Sequence, residues 1–201
     1  MGFKPFFCMG SILAFEDVKL IVGLLYSGAP EYEGLFTSIC GMLADCFGEI
    51  DYQSRPMLFS FTNYYDKEIP PPIYKRIISF KQLINPQSLS SIKIKTNELE
   101  QLWVKKSAIN GESKIASSIR PVNLDPGILD LSHLILATTK NRGHRLPLCD
   151  GIYGELTLLF MNGEFKPLEW TYDDFATDEY RAVLCEIRKL YKIQRKIFLK
   201  Q

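Results

Sequence analysis

The sequence lacks the short motifs that would assign it a reaction. The glycine-rich nucleotide-binding patterns GxxxxGK[ST] and GxGxxG are both absent. The run Gly111-Glu112-Ser113-Lys114 lacks the first glycine and the following Ser or Thr of a P-loop. The GxSxG pattern of serine hydrolases and the HExxH pattern of zinc proteases do not occur either. The motifs therefore indicate no reaction, no cofactor and no metal centre.

Cysteine is scarce and shows no paired spacing. The number of cysteines is odd, and they are scattered without a CxxC pair: Cys8, Cys40, Cys46, Cys149 and Cys185. This spacing excludes a zinc ribbon and a redox dithiol. Cys40 and Cys46 lie among apolar residues of a predicted helix, where they act as small hydrophobic side chains. We therefore expect a reducing, cytoplasmic location.

An excess of either charge is missing as well. Lys and Arg together number 24 and Asp and Glu 23, which gives a net charge of +1. A balance this close to neutral provides no general attraction to nucleic acid or to an anionic membrane. The composition therefore argues against both as default partners.

No apolar run is an evident membrane span or leader. Pro5–Phe15 is apolar but only 11 residues long, whereas a helix that crosses a bilayer needs ~20. It also has no convincing signal-peptide cleavage site. We interpret residues 1–17 as an N-terminal extension, either poorly ordered or docked on the core, and expect no membrane partner.

What the chain does have is enough apolar sequence for a large core. It contains 201 residues, 46% of them hydrophobic. At this length roughly 70% of the unfolded surface can be buried without a disulfide or a metal. We therefore predict one α+β domain over residues 18–201.

The first part of this domain alternates strand and helix patterns. Apolar runs predict strands, and 3–4 residue spacing predicts helices, one opened by Pro30 and closed by Gly48, the other opened by Asn85-Pro86. The predicted strands are Val18–Tyr26, Met57–Phe61, Tyr74–Ile84 and Lys114–Asn123. The resulting order over residues 18–123 is βαββαβ, the ferredoxin-like pattern, with both helices on one face of an antiparallel sheet.

Residues 124–201 predict an extension of that core. Asp125-Pro126-Gly127 is predicted as a turn, and Leu129–Thr139 is ambiguous between helix and strand. Ile152–Phe160 and Phe165–Leu168 flank Asn162-Gly163, which predicts a β-hairpin. A long terminal helix over residues 178–198 is capped by Thr177 or Asp178, and its apolar stripe is Tyr180, Val183, Leu184, Ile187, Leu190, Tyr191, Ile197 and Phe198.

Polar residues with chemical potential concentrate between Arg120 and Glu155. His144 with Asp125 or Glu155 is the candidate catalytic pair, because a carboxylate can orient an imidazole for proton transfer. The loop Lys140–Arg145 places cations around a glycine, which suits a phosphate or carboxylate. The alternative is a solvated surface loop. The candidate ligand-binding residues are Asn123, Lys140, Arg145, Tyr153, Asn63 and Tyr64.

Asn63 and Tyr64 are candidates because they follow a predicted strand end, where a tyrosine can stack on a ring. The alternative for this segment is aromatic packing against the loop Pro70-Pro71-Pro72. The terminal helix carries Arg181, Arg188, Lys189, Lys192, Arg195, Lys196 and Lys200. A basic face of this kind can track phosphates, although it is more often only solvated.

Several segments of the chain together form a recognisable set. They are Val18–Tyr26, Phe61–Tyr65, Ser79-Phe80, Leu83-Ile84, Thr96-Asn97, Glu100, Val122–Gly127, Ala137–Lys140, His144-Arg145, Gly151–Tyr153, Glu155 and Trp170–Tyr172. With this set the chain resembles one prokaryotic family, the domain of unknown function 4416. The resemblance covers about residues 18–195, and the succession VNLDPG, ATTK and HR is its most specific part. It implies a free-standing bacterial or archaeal cytoplasmic protein and supplies no mechanism. Some members carry the label GTP-binding protein, for which the missing P-loop gives no support.

The sequence thus favours a protein that binds a small anionic ligand, phosphorylated or nucleotide-like, either as a binding protein or as a small enzyme. The alternative is a non-catalytic interaction module for nucleic acid or a protein partner through the basic terminal helix. The sequence indicates neither a cofactor nor an oligomeric state.

Overall fold

The computed structural model describes residues 13–109 and 119–198. Three helices and nine strands occur in these ranges. The helices are α1 (Leu35–Phe47), α2 (Leu89–Ile109) and α3 (Asp178–Phe198). The strands are β1 (Val18–Ser27), β2 (Ile50–Gln53), β3 (Met57–Leu58), β4 (Ile73–Ile84), β5 (Val122–Leu129), β6 (His133–Thr138), β7 (Arg145–Pro147), β8 (Tyr153–Met161) and β9 (Glu164–Pro167).

All nine strands join one antiparallel sheet. The main path runs β2-β4-β1-β5-β6-β8-β7, while β3 pairs with β4 and β9 pairs with β8. Every residue of β1 is buried, because this strand is paired on both edges and covered on both faces. The predicted α+β class with an antiparallel sheet is confirmed.

Helices α1 and α2 cover one face of the sheet. Side chains of both helices pack against alternate residues of β1, namely Leu20, Val22 and Leu24. α1 is flanked by Gly34 and Gly48. Their φ angles of 79° and 91° are conformations that glycine adopts without strain. The two helices therefore share one core with the central strands.

Helix α3 covers the opposite face. It buries Tyr180, Leu184, Ile187 and Tyr191 against strand residues that include Ile21. The predicted helix over residues 178–198 is confirmed, although Val183 and Leu190 are only half-buried and Ile197 and Phe198 are exposed. Sheet alternation explains the two cores, since neighbours such as Ile77 and Ile78 point to opposite faces.

The predicted hairpin is confirmed in β8 and β9. Its turn residues Asn162 and Gly163 have φ angles of 54° and 90°, as the two-residue turn of a twisted hairpin requires. The third predicted strand is also present as β4, one residue longer at its start.

The turn predicted at Asp125-Pro126-Gly127 is wrong. These residues lie inside β5, where Asp125, Pro126 and Gly127 pair with Gly23, Val22 and Ile21 of β1. Pro126 lies just before the ladder with β6 begins at Gly127, a position at which a missing N–H is tolerated. Gly127 is required by close approach, because a Cβ there would lie 2.7 Å from the carbonyl oxygen of Ile135.

Other strand predictions were displaced or missed. Only Met57 and Leu58 of the predicted second strand form β3, and the strand that borders β4 at the edge is the unpredicted β2. Residues 114–118 of the predicted fourth strand lie outside the described residues, and the observed strand runs from Val122 to Leu129. The ambiguous segment 129–139 contains β6, and β7 was not predicted.

The part of the N-terminal extension that is described, residues 13–17, has no regular secondary structure. It is held to α3, since Arg195 pairs with Glu16 and the hydroxyl of Tyr191 donates to the carbonyl of Asp17. None of the helices within residues 13–109 and 119–198 combines the length and apolarity needed to cross a membrane.

Candidate ligand-binding cavity

A cavity of about 420 Å³ opens where β5 and β6 separate. These strands pair only over Gly127–Leu129 and Leu134–Leu136, so no described strand pairs with the preceding residues of β5 on that side. Asn123 and Asp125 of β5 therefore face the cavity together with Glu155 of β8. Residues of α2 and of the segments around residues 59–65, 139–142 and 172–175 complete the wall.

The wall is strongly charged. It has six cationic side chains, Lys75, Lys93, Arg120, Lys140, Arg142 and Arg145, against the four carboxylates Glu100, Asp125, Glu155 and Asp174. Most of these groups are buried, so their pairing decides which of them remain available to a ligand.

Arg145 and Glu155 form the most enclosed pair. Nε of Arg145 donates to Oε2 of Glu155 at 2.6 Å, and both side chains are 2% exposed. The other guanidinium nitrogens donate to the carbonyl of Lys140 at 2.8 Å and to the hydroxyl of Tyr172 at 2.8 Å. Arg145 thus fixes the loop that carries Lys140.

His144 reaches the same carboxylate from outside the cavity. Its Nε2 atom lies 3.0 Å from Oε2 of Glu155, and its ring stacks on Trp170 with centroids 5.2 Å apart. The indole of Trp170 in turn donates to the carbonyl of Leu156. His144 is therefore held in one orientation.

A second network surrounds Arg120. Its NH1 nitrogen donates to Glu100 at 2.7 Å and to the side-chain oxygen of Asn123 at 2.8 Å, and Asn123 donates to Asp125 at 2.7 Å. Lys93 lies 3.6 Å from Asp125. Glu100 also accepts from the backbone N–H of Leu124 at 2.7 Å.

Burial sets the proton affinity of Glu100. Desolvation raises the pKa of its carboxyl, and the nearby Lys93, the N–H of Leu124 and Arg120 oppose the rise without cancelling it. A carboxyl with a raised pKa in a cavity is a candidate for proton transfer.

Lys75 and Asp174 form a third, buried pair that was not predicted. The ammonium group donates to Asp174 and lies 4.1 Å from the centroid of Phe175, with Phe59 and Tyr180 nearby. The sequence did contain a signal, because Lys75 alternates with the inward-facing Ile73 and Ile77. Lys93 and Glu100 were also missed, although both lie on the apolar face of α2.

At the mouth of the cavity the cations are not paired with carboxylates of the described residues, unlike those deeper in the wall. Lys140 and Arg142 are exposed, and within the described ranges no carboxylate lies at ion-pair distance from either of them. Lys140 donates to the hydroxyl of Tyr64 at 3.1 Å and lies 4.4 Å from the centroid of its ring. These two cations are therefore available to an anion.

The structure brings together most of the predicted site residues. Asn123, Asp125, Lys140, Arg145, Glu155 and Tyr64 all line the cavity.

The remaining three predicted residues are not in the wall. His144 contacts Glu155, and Asp125 is not among its partners. Tyr153 is half-buried at the start of β8, opposite Thr138 and Pro147. Asn63 is exposed and begins a short 3-10 turn.

In the part of the chain that the structure describes, no group of three or more His, Cys, Asp or Glu side chains is placed to hold a metal ion.

Comparison with known proteins identifies one matching family model. No curated protein and no solved structure matches the chain. The family model described as "Domain of unknown function (DUF4416)" matches residues 16–191, a range that includes every described residue of the cavity wall. The chain therefore belongs to this family of unknown function.

Proposed function

We propose that the cavity binds a small anionic ligand, phosphorylated or nucleotide-like. The observation that carries this proposal is the pair of exposed cations at the mouth, Lys140 and Arg142, which have no carboxylate partner among the described residues. A guanidinium offers a fork of donors to a phosphate, and an ammonium adds a compact charge.

The deeper cations support this assignment because they are already neutralised. Lys75, Lys93, Arg120 and Arg145 each lie beside a carboxylate of the network. Each of these cations already has a carboxylate partner, so an incoming anion binds to the unpaired cations instead. The positive charge left over is concentrated at the entrance.

The size and lining of the cavity agree with a ligand that has a ring. A volume of about 420 Å³ falls within the range of ~300–1,000 Å³ that is usual for small-molecule sites. Phe59, Tyr64 and Phe175 contribute aromatic surface to its wall. An enzymatic role would use His144 with Glu155 for proton transfer, since Nε2 of the one lies 3.0 Å from Oε2 of the other.

A thermal-shift screen tests the proposal. Wild-type protein is titrated with inorganic phosphate, pyrophosphate, ribose 5-phosphate and nucleoside mono- and triphosphates at constant ionic strength. A ligand at 100 times its Kd adds about 2.7 kcal/mol of stability. The double variant Lys140→Ala with Arg142→Ala should lose this response and keep the melting temperature of the free protein, because both side chains are exposed.

The matched control is Lys192→Ala, which removes an exposed lysine of α3 that is not in the cavity wall. It should respond like wild type. If none of these anions stabilises the wild type, or if the double variant responds as strongly as wild type does, the proposed function is wrong.

The rival proposal, a non-catalytic interaction module that binds nucleic acid or a protein partner through α3, has less support. Arg181, Lys189 and Arg195 pair with carboxylates, and Arg188 donates to the carbonyl of Leu131. Lys192 and Lys196 remain exposed. Binding of nucleic acid that weakens steeply with salt, and that Lys192→Ala reduces while the mouth variant does not, would favour the rival.

We also propose the ferredoxin-like core predicted over residues 18–123, with its last strand continuing to Leu129. The supporting observation is the strand order β2-β4-β1-β5, all antiparallel, with α1 and α2 on one face. The short β3 and the continuation of the sheet into β6–β9 are additions to that pattern. We infer in addition a prokaryotic, cytoplasmic setting, which the family resemblance implies and the scattered, unpaired cysteines support.

A further inference from the structure

Glu155 carries an unsatisfied oxygen in the wall of the cavity. The residue is 1% exposed and lines the cavity. Its Oε2 atom is bound by Arg145 at 2.6 Å and lies 3.0 Å from His144. Its Oε1 atom is buried and has no hydrogen-bond partner among the described residues.

Among the described residues no donor forms a hydrogen bond with this oxygen. The Nε, NH1 and NH2 nitrogens of Arg145 are engaged with Glu155, Lys140 and Tyr172. His144 is directed to the other carboxylate oxygen and fixed by its stacking on Trp170. A buried acceptor without a partner is costly and rare in folded proteins. Because Glu155 lines the cavity, a group bound there can supply the missing donor.

We propose that Oε1 of Glu155 accepts a hydrogen bond from a neutral O–H or N–H group of the ligand and so determines its specificity. The inference rests on the proposed function, because it concerns the other end of the same ligand. The donor is neutral because the guanidinium of Arg145 already balances the carboxylate, and a second cation would be repelled. The site then takes a phosphate ester that also bears a hydroxyl or amino group, as nucleotides and sugar phosphates do.

The two ends of such a ligand would be recognised by linked parts of the wall. Arg145 binds Glu155 with one nitrogen and the backbone of Lys140 with another. Arg145 therefore positions both Glu155, which accepts from the donor group of the ligand, and Lys140, which binds its phosphate.

Glu155→Gln tests the role of the oxygen with almost no change of shape. Arg145 can only donate, so the amide oxygen of the new side chain must face it. The amide NH2 then occupies the position of Oε1. It can only donate, so it forms no hydrogen bond with the O–H or N–H group of the ligand. Loss of a hydrogen bond to a charged group weakens binding by about tenfold or more.

The experiment measures the affinity of wild type and Glu155→Gln for ribose 5-phosphate, for AMP and for phenyl phosphate, which has no donor beyond its phosphate. The change of charge beside Arg145 acts on all three esters alike, so the readout is the difference between them. We expect the variant to lose about tenfold or more in affinity for the first two relative to phenyl phosphate. Glu169→Gln, at an exposed position outside the cavity wall, is the matched control and should leave all three affinities unchanged.

The outcomes separate the two proposals. An equal change for all three esters, or no change for any, overturns the role of Glu155 and leaves the proposed function standing. Absence of binding by every ester to wild type overturns both. If Glu155→Gln does not fold, a wild-type complex with the tightest ester decides. A ligand oxygen or nitrogen within ~2.6–3.2 Å of Oε1 is expected, and a bound ester that leaves Oε1 unpaired overturns the inference.

Discussion

At the scale of single residues, Glu100 combines burial with charge. It lies on α2 and is 6% exposed, and it holds both the backbone of Leu124 and the guanidinium of Arg120. A buried carboxylate of this kind positions its neighbours and at the same time keeps a cost of desolvation. Its titration therefore affects the stability of the fold.

The raised pKa of Glu100 predicts a pH dependence with a definite sign. Because burial raises the pKa of the folded carboxyl above the unfolded value of about 4.3, the folded state binds the proton more tightly. Wild type should therefore gain stability relative to Glu100→Gln as the pH falls through the folded pKa towards about 4.3. Melting temperatures of both proteins between pH 8 and about pH 4 measure this difference.

The substitution also alters the pairing of Arg120 and so shifts the melting temperature at every pH. The readout is therefore how the difference in melting temperature between the two proteins changes with pH. Glu98→Gln, at an exposed position two residues earlier, serves as the control and should show no comparable trend. Wild type losing stability relative to Glu100→Gln on acidification would mean that the pKa is lowered instead.

At the scale of elements, α3 is the best example of a helix specified by its own pattern. Its buried residues recur at intervals of three and four, and Thr177 provides the cap through a hydrogen bond from the backbone N–H of Tyr180. Tertiary contacts add Lys19, a buried lysine of β1 whose ammonium group donates to Asp51 and to Gln194 of α3. Burial alone would raise the pKa of Asp51, but the hydrogen bonds from Lys19, Ser79 and Gln194 outweigh it and lower the pKa.

Ile187→Ala should destabilise the docking of α3 strongly. Ile187 is fully buried at the centre of the apolar stripe, and truncation of such a residue costs about 2–5 kcal/mol. For a chain of this size each kcal/mol lowers the melting temperature by about 2–4 °C. Chemical denaturation of wild type and variant measures the loss.

Ile193→Ala is the matched control, because Ile193 belongs to the same helix and is 59% exposed. Its effect should stay within about 0.5 kcal/mol. Equal effects of the two substitutions would contradict the packing of α3 on the sheet.

At the scale of the whole molecule, one sheet separates two cores and belongs to both. β1 places Leu20 and Val22 in the core under α1 and α2, and Ile21 in the core under α3. The cavity lies where this sheet opens between β5 and β6. Since no strand of the centre belongs to one core alone, we expect the described parts of residues 18–198 to unfold as one unit.

The two tryptophans allow a test of this cooperativity. Trp103 packs on the core under α1 and α2, and Trp170 lies beside His144 near the cavity. In Trp170→Phe and Trp103→Phe the remaining indole reports from one region only. In each variant the fluorescence transition should coincide with the loss of far-UV circular dichroism, whatever the change in stability. Separate midpoints within one variant would show that the regions unfold independently.

Local patterns were sufficient where an element is determined by its own residues. The stripe of α3, the Asn162-Gly163 turn and the apolar run of β4 have their causes within a few positions of the chain. The turn predicted at Asp125-Pro126-Gly127 is wrong because contacts with a distant strand determine the conformation of this segment. Its local preference is for a turn, and pairing with β1 overrides that preference.

The sequence by itself determined the class of the fold, the terminal helix and hairpin, and the concentration of polar residues between Arg120 and Glu155. Hydrophobic periodicity and turn-forming residues are local properties, so the sequence alone shows them. Only the tertiary structure decided that Lys75, Lys93 and Glu100 join those residues in one wall, and that His144 contacts Glu155 and not Asp125. The physical reason is that partners such as Lys75 and Asp174 are 99 positions apart, so their pairing depends on strand register and helix packing rather than on spacing along the chain.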